Sequence, residues 1–275
     1  MIENLKLAMR SSPYVLFHLA CLLVFTTGVS WEAVGILLTS YWLRMIGVSV
    51  GYHRLFSHKA FKTSRVFQFI LAVLGAASLQ RGPFWWAWTH RYHHRHTDTP
   101  RDLHSPNYQG VAYSYWGWIF NKQNLVVPKD AVMDLKAFPE LRFIEHRVTW
   151  VGISLLYAWT TYFLFGWTGL VWGYFLSTIM IWHSVHWVQV LSHNWAGYRR
   201  YESADQSRNH WLLGLMTLGE YHNNHHAFAW SARQGHAWWE LDLGYILLKF
   251  LEKIGIVWDL KTPSEKRMIA LTTVK

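Results

Sequence analysis

The sequence predicts an all-α membrane protein: four transmembrane helices arranged as two hairpins, with a cytosolic helical cap that holds a histidine-ligated di-metal site. Three observations predict this. Apolar stretches long enough to cross a bilayer come in two pairs with almost no loop inside a pair. Lysines and arginines crowd the polar segments and are missing from both hairpin turns. Those polar segments carry three clusters of histidines. Hydrophobic residues make up 52% of the chain and aromatics 17%, with 19 Trp and 14 Tyr, a load that suits bilayer-interface surface. The mean hydropathy of +0.04 is modest, so a sizeable water-facing part accompanies the spans. No Gly/Ser/Pro-rich linker divides the 275 residues, which read as a single domain, 1–275. A net charge of +10 should draw anionic head groups or an anionic substrate handle to the exposed face. The apolar segments argue against nucleic acid. With Cys21 the sole cysteine, neither an internal disulfide nor a cysteine-rich metal site is available.

In chain order, residues 1–12 are short and basic through Lys6 and Arg10, and Pro13 opens a first span of about 13–30. A second apolar segment follows at once, which disfavours a signal peptide. That segment, 31–50, is the second span, with Arg44 near its end. The third and fourth spans are about 151–166 and 168–190, and residues 51–150 and 191–275 form the cap. Inside the cap, 66–79 is apolar but short and flanked by Arg65 and Arg81, as for an interfacial or packing helix. A last amphipathic stretch covers 245–256. The distribution of basic residues places both termini and all three clusters on the cytoplasmic side. His183, His186, Gln189 and His193 recur every three or four residues along the fourth span. Ionisable groups inside a membrane are functional candidates; the alternative for His183 and His186 is a hydrogen-bonded core histidine.

His90, His93 and His94 stand at i, i+3 and i+4, so a helix sends all three imidazoles from one face. His222, His225 and His226 repeat the pattern, His53 and His58 add a third pair, and His193 completes nine. Imidazole suits iron, zinc, copper or nickel, and spacing alone does not choose among them. A structural zinc needs four ligands, so nine imply two metals. On an ideal α-helix at about 100° per residue, His53 and His58 point roughly 140° apart. They are therefore expected where the second span ends and the chain bends. Asp98, Asp102 and Glu220 are candidates to accept imidazole N–H and fix the tautomer, against the alternative of ordinary solvated carboxylates.

These residues resemble the integral-membrane fatty acyl desaturases, closest to the Δ9 acyl-CoA or acyl-lipid type. The match runs over GYHRLFSHKAFK at 51–62, HRYHH at 90–94 and GEYHNNHHAF at 219–228, in that order and separated by paired spans. The resemblance implies a mushroom-shaped four-span protein whose cytosolic cap holds two Fe2+ ions on histidines alone. It implies ligation by His53, His58, His90, His93, His94, His193, His222, His225 and His226, with Gln189 reaching one metal through water. It also implies O2-dependent introduction of a cis double bond, at Δ9, into a saturated fatty acyl-CoA or acyl-lipid chain in the membrane bilayer. No cytochrome b5 domain follows in this chain, so electrons are expected from an external donor of ferredoxin, rubredoxin or cytochrome b5 type. A membrane hydroxylase or ketolase shares such histidine boxes and differs in product. A bis-histidine haem carrier would use a pair such as His18 with His183 but leaves three clusters unexplained. A zinc transporter should show polar residues through several spans. Soluble carboxylate-bridged di-iron desaturases are excluded, since no Glu-x-x-His pair occurs.

Two further expectations concern substrate and donor. A narrow apolar tunnel from the metals should end against the second span, where Tyr41 and Leu37, twelve and sixteen residues before His53, share a helix face; lipid-facing or core packing is the alternative. Arg54, Lys59, Arg91, Arg95, Arg199 and Arg200 surround the proposed site and are expected to meet an acidic donor or the phosphates of an acyl carrier.

Overall fold

The computed structural model describes residues 2–194 and 196–272, with side chains from Lys6 onward. Met1, Trp195 and 273–275, which fall in the expected N-terminal segment and cap, lie outside the described residues. Helix α1 (Ile2–Ala20) continues through a 3-10 turn at Cys21–Leu23 to a last turn at Val24–Thr27. Pro13 sits inside α1 and does not open it. The residues before it, rich in Leu, Ala, Met and Lys, are strong helix formers and start the helix a full three turns earlier. Gly28 at φ 66° closes the segment, and Ser30 opens α2 (Trp31–Met45) by accepting the Ala33 N–H at 3.1 Å.

Helix α2 does not stop where the second span was expected to end. From Ile46 to Ser57 it continues as a π-helix, a rare i→i+5 geometry associated with functional sites. The Ser57 hydroxyl donates to the Tyr52 carbonyl five residues back, at 2.8 Å. His53 and His58, also five apart, meet with ring centroids 5.1 Å apart. The expected divergence holds only for α geometry; the wider turn removes it without a sharp bend. Helix α3 (Arg65–Ala76), capped by Ser64, lies against this π segment. A Cβ on Gly47 would come within 2.2 Å of the Gly75 nitrogen, so glycine permits the contact. Leu71 and Ala72 are buried while Val66 and Ile70 stay exposed, the pattern expected of a packing helix.

Helix α5 (Arg147–Thr168), the π-helical Gly169–Leu176 and α6 (Ser177–Leu191) form one apolar run of 45 residues. Gly166, at φ 60° and ψ −147°, folds it back on itself. Residues 20 apart on a straight helix would be about 30 Å apart, whereas the Ser154 and Tyr174 hydroxyls are 2.9 Å apart. With the candidate spans Lys6–Thr27 and Trp31–Ser57, this makes four apolar arms in two hairpins. Arg44, fully buried, ties the hairpins together. Its guanidinium donates to Thr178 at 2.7 Å, to the Ala77 carbonyl at 3.2 Å and to the Ser177 hydroxyl, and lies 4.7 Å from the Tyr157 ring.

The cap is built on α4 (Pro83–His96), α7 (His222–Ala227) and α8 (Leu243–Lys253), linked by short helical turns. Among the described residues the only sheet pairs Lys62–Thr63 with Val257–Trp258, antiparallel. Helix α4 begins at Pro83, and its open N–H groups are met from a distance: the Glu145 carboxylate accepts from Phe84 at 2.7 Å and Trp85 at 3.2 Å. Burial raises Glu145 from 4.5 to about 7 against those hydrogen bonds. A carboxyl raised on folding contributes stability that is complete below 4.5 and is lost as pH rises through about 7. Glu145→Gln should therefore flatten the decline in thermal stability between mildly acid and mildly alkaline pH, by at most about 3 kcal/mol. Parallel melting curves of the two proteins at each pH check this; identical slopes would refute it.

Candidate metal centre

The nine histidines expected as ligands come together from five places: the π-helix, its C-terminal turn, α4, the foot of α6 and α7. His53, His58, His90 and His225 offer nitrogens that all lie within 4.8 Å of one another, and so do His93, His193, His222 and His226. His94 joins the first group, its Nε2 3.1 Å from His90 Nε2 and 2.8 Å from His225 Nε2. Helix α4 thus gives His90 and His94 to one group and His93 to the other. Helix α7 does the same with His225 against His222 and His226. The Nε2 atoms of His58 and His90 are 2.8 Å apart, and those of His193 and His222 2.7 Å.

The opposite ring nitrogens are held from outside. Nδ1 of His93 donates to Asp102 at 3.0 Å, of His193 to Asp98 at 3.1 Å, of His222 to Glu220 at 2.9 Å and of His226 to Asp205 at 2.9 Å. The three carboxylates expected beside the imidazoles are therefore beside them. Asp205 was not expected, and neither was Gln234, whose amide lies 3.1 Å from His225 Nδ1. An N–H fixed at Nδ1 turns the Nε2 lone pair inward and raises its basicity. Burial holds His58, His90, His94 and His225 well below the usual imidazole range, and takes His193 to about 4 and His226 to about 3. These rings are neutral at physiological pH, the form that ligates. Burial would raise Asp98, yet hydrogen bonds from His193, Gln206 and Ser105 bring it to about 2. Glu220, likewise buried, is brought to about 2 by His53 and His222.

The donor set fits metal cations. His93 Nε2 and His226 Nε2 are buried with no hydrogen-bond partner, although buried polar atoms are nearly always paired. All-imidazole donor sets suit first-row transition metals.

Gln189 lines the same small cavity as His93, His193 and His222, and its Oε1 accepts from Trp118 Nε1 at 3.1 Å. His104, which lay outside the expected ligand set, stacks on His93 with centroids 4.5 Å apart and is buried.

Two cavities meet here. A small one of about 50 Å³ lies over the histidines and is walled by Met45, Val48, Val185 and Val188. A large one of about 1080 Å³ leads away between α1, α5 and α6, past Tyr14, Phe17, Leu155 and Trp182. Both are lined by Trp86, His90, His104, Val185 and Gln189. Leu37 and Tyr41 line neither, contrary to the expected tunnel end. Tyr41 donates to the Met216 carbonyl at 2.7 Å, and Leu37 packs with Ala33, Val171 and Trp172. Met45, wholly buried against Tyr41 and Val48, closes the space one helical turn earlier.

The expected basic surface is also different. Arg54 is buried and paired with Asp242 at 2.9 Å; Lys59 and Arg91 share Asp134; Arg200 pairs with Glu240; Arg199 donates to Ser203; Arg95 lies over the Tyr92 ring. Most of these cations serve internal contacts. His18 and His183 do meet within the apolar arms, Nε2 to Nε2 at 3.0 Å, with Tyr115 bonded to His183 and the Tyr14 carbonyl to His18.

The sequence profile of fatty acid desaturases matches residues 29–261. The chain belongs to the fatty acid desaturase family. It is 34% identical to the sn-1 stearoyl-lipid 9-desaturase of Anabaena variabilis, over 91% of this chain and 92% of that protein. It is 36% identical to Delta-9 acyl-lipid desaturase 1 of Arabidopsis thaliana, over 94% and 84%. A third relative, the acyl-CoA C20 Delta5-desaturase of Anemone leveillei, is 35% identical over 90% and 80%. The chain is thus a fatty acyl desaturase, an oxidoreductase, and its buried histidine groups can hold metal.

Proposed function

We propose that this desaturase introduces a cis Δ9 double bond into a saturated acyl chain esterified in a membrane lipid, with one iron on each histidine group. The observation that supports it most directly is the pair of buried imidazole sets, the second braced by four carboxylates, at the junction of the two cavities. Relatives whose names specify a stearoyl-lipid 9-desaturase and a Δ9 acyl-lipid desaturase favour the position and the carrier. When bound, two irons supply O2-dependent removal of two hydrogens from adjacent methylenes, using two electrons from an external donor.

The protein's part is placement and exclusion of water. His53, His58, His90, His94 and His225 would hold one ion, and His93, His193, His222 and His226 the other. Gln189, kept in place by Trp118, would reach the second through water. The acyl chain enters by the large cavity, turns at Trp86 and His104, and lays its methyl end against Met45 and Val48. Both termini and the metals would face the cytoplasm, a reading that the basic residues of the cap support.

The test is expression in a host lacking Δ9 activity, with product double bonds located by mass spectrometry. A new Δ9 alkene is expected; hydroxylated products without alkene would favour the hydroxylase reading. A second prediction follows from the wall. Met45→Ala should admit longer chains, with the double bond fixed when counted from the carboxyl end. Each added methylene buried is worth roughly 0.8 kcal/mol, on the order of fourfold in preference. Gas chromatography of products from a mixed acyl pool checks it, and an unchanged length distribution would place the end elsewhere.

A further inference from the structure

The large cavity is lined mainly by apolar and aromatic side chains, but cations also line it. Lys6, Arg10, Arg81, Lys122 and Arg147 line it together with the aromatic wall of Trp85, Trp118 and Trp150. Unlike Arg54 and Arg91 in the cap, which pair with Asp242 and Asp134, Arg10, Arg81 and Arg147 form no carboxylate ion pair among the described residues. Arg10 Nε is buried with no hydrogen-bond partner among the described residues. Arg81 donates to the Ile119 carbonyl at 3.3 Å and lies 5.0 Å from the Trp85 ring. The carboxylate that acts on Arg81 is Glu145, and its oxygens already accept the N–H groups that open α4.

Arg81 is also held in an unusual place. Its backbone has φ 66°, a left-handed conformation that non-glycine residues rarely adopt, and its carbonyl accepts the Tyr52 hydroxyl at 3.0 Å. Burial together with the nearby Arg147 lowers its guanidinium to about 10. Two arginines brought together at the mouth of a partly dry cavity repel one another. Their arrangement costs free energy unless an anion joins them. Guanidinium groups match phosphate oxygens in bidentate geometry, while Trp85 covers the flat face of one of them.

We propose that Arg81 and Arg147, with Arg10, bind a phosphate carried by the acyl substrate, so that the enzyme selects phosphate-bearing amphiphiles over neutral glycolipids. This rests on the reading of the large cavity as the acyl entry. The phosphate sits at the rim, and the attached chain runs inward past Trp85 and Trp86 to the histidines. Two sources share this chemistry: the head group of a glycerophospholipid and the phosphates of an acyl-CoA.

The experiment measures binding, not turnover, with full-length metal-loaded protein in detergent. Stearoyl-containing phosphatidylglycerol, stearoyl-CoA and monogalactosyldiacylglycerol are titrated separately by native mass spectrometry. One phosphate ligand should bind at least tenfold more tightly than the galactolipid, and whichever does so identifies the source. Arg81→Gln and Arg147→Gln should each remove most of that preference while galactolipid binding and metal content stay unchanged. Arg81→Lys, which keeps the charge but not the fork, should fall between, and 0.5 M salt should weaken only the phosphate ligands. Equal affinity for all three amphiphiles, or a preference that survives both glutamine variants at unchanged metal content, would overturn the proposal. Desaturation by the wild-type protein is scored separately. Activity without phosphate preference sinks this inference alone, and phosphate preference without any alkene sinks the proposed reaction alone.

Discussion

Replacing His225 by alanine is expected to lower desaturation at least a hundredfold and to leave the protein in the membrane at its normal level. His225 is buried at the centre of the first group, with Nε2 3.0 Å from His53 and 2.8 Å from His94. Its removal takes one donor away and leaves the facing imidazoles without the partner that positions them. His93→Ala should do the same to the second group, where His93 is braced by both oxygens of Asp102. The apolar arms depend on neither residue: their contacts are Arg44 with Thr178, Ser154 with Tyr174 and the Gly47–Gly75 approach. Metal analysis should give two irons per chain in the wild type and close to one in each variant, with fractionation showing equal membrane content. Full activity of either variant, or of a protein holding only zinc, would refute the assignment.

The nine histidines and three of their four carboxylates were legible in the sequence because helical spacing is local. His90, His93 and His94 must share a face whatever surrounds them, and an apolar stretch declares a span by composition. What was not legible depends on contacts between distant segments or on backbone geometry that residue spacing does not encode. Asp205 braces His226 from a loop 21 residues away, and a lone aspartate between serines carries no signal of that. The π-helix at Ile46–Ser57 changes the angular step per residue, so a projection with α geometry set the His53 and His58 side chains apart when they in fact meet. The cationic rim was hidden for a similar reason. Arg10, Arg81 and Arg147 come from three separated segments, while the arginines nearest the boxes in sequence, such as Arg54 and Arg91, are spent on Asp242 and Asp134.

The bracing carboxylates give the second large effect. Asp102, buried with His93 and His104, accepts from His93 with both oxygens, and also from the backbone of Asp98 at 3.0 Å and His104 at 3.2 Å. Hydrogen bonds from His93 and His104 hold its carboxyl well below the usual range although burial opposes this. It is therefore an anion that fixes the Nδ1–H tautomer. Asp102→Asn keeps the shape but removes the charge, and its amide nitrogen can meet Nδ1 only when the proton has moved to Nε2, the wrong side for ligation. Asp205→Asn should act in the same way on His226, since Asp205 also takes the Ser207 N–H and the Ser203 hydroxyl. Loss of such partners typically costs 10–100-fold in metal affinity or activity. Each variant is expected to show that loss in chelator competition, and the second histidine group should empty before the first. Glu140→Gln, which breaks the surface pair with Arg65 at 2.6 Å, should change neither metal affinity nor turnover, because exposed ion pairs contribute little. Unaltered metal retention in both aspartate variants would mean that the imidazoles are oriented by packing alone.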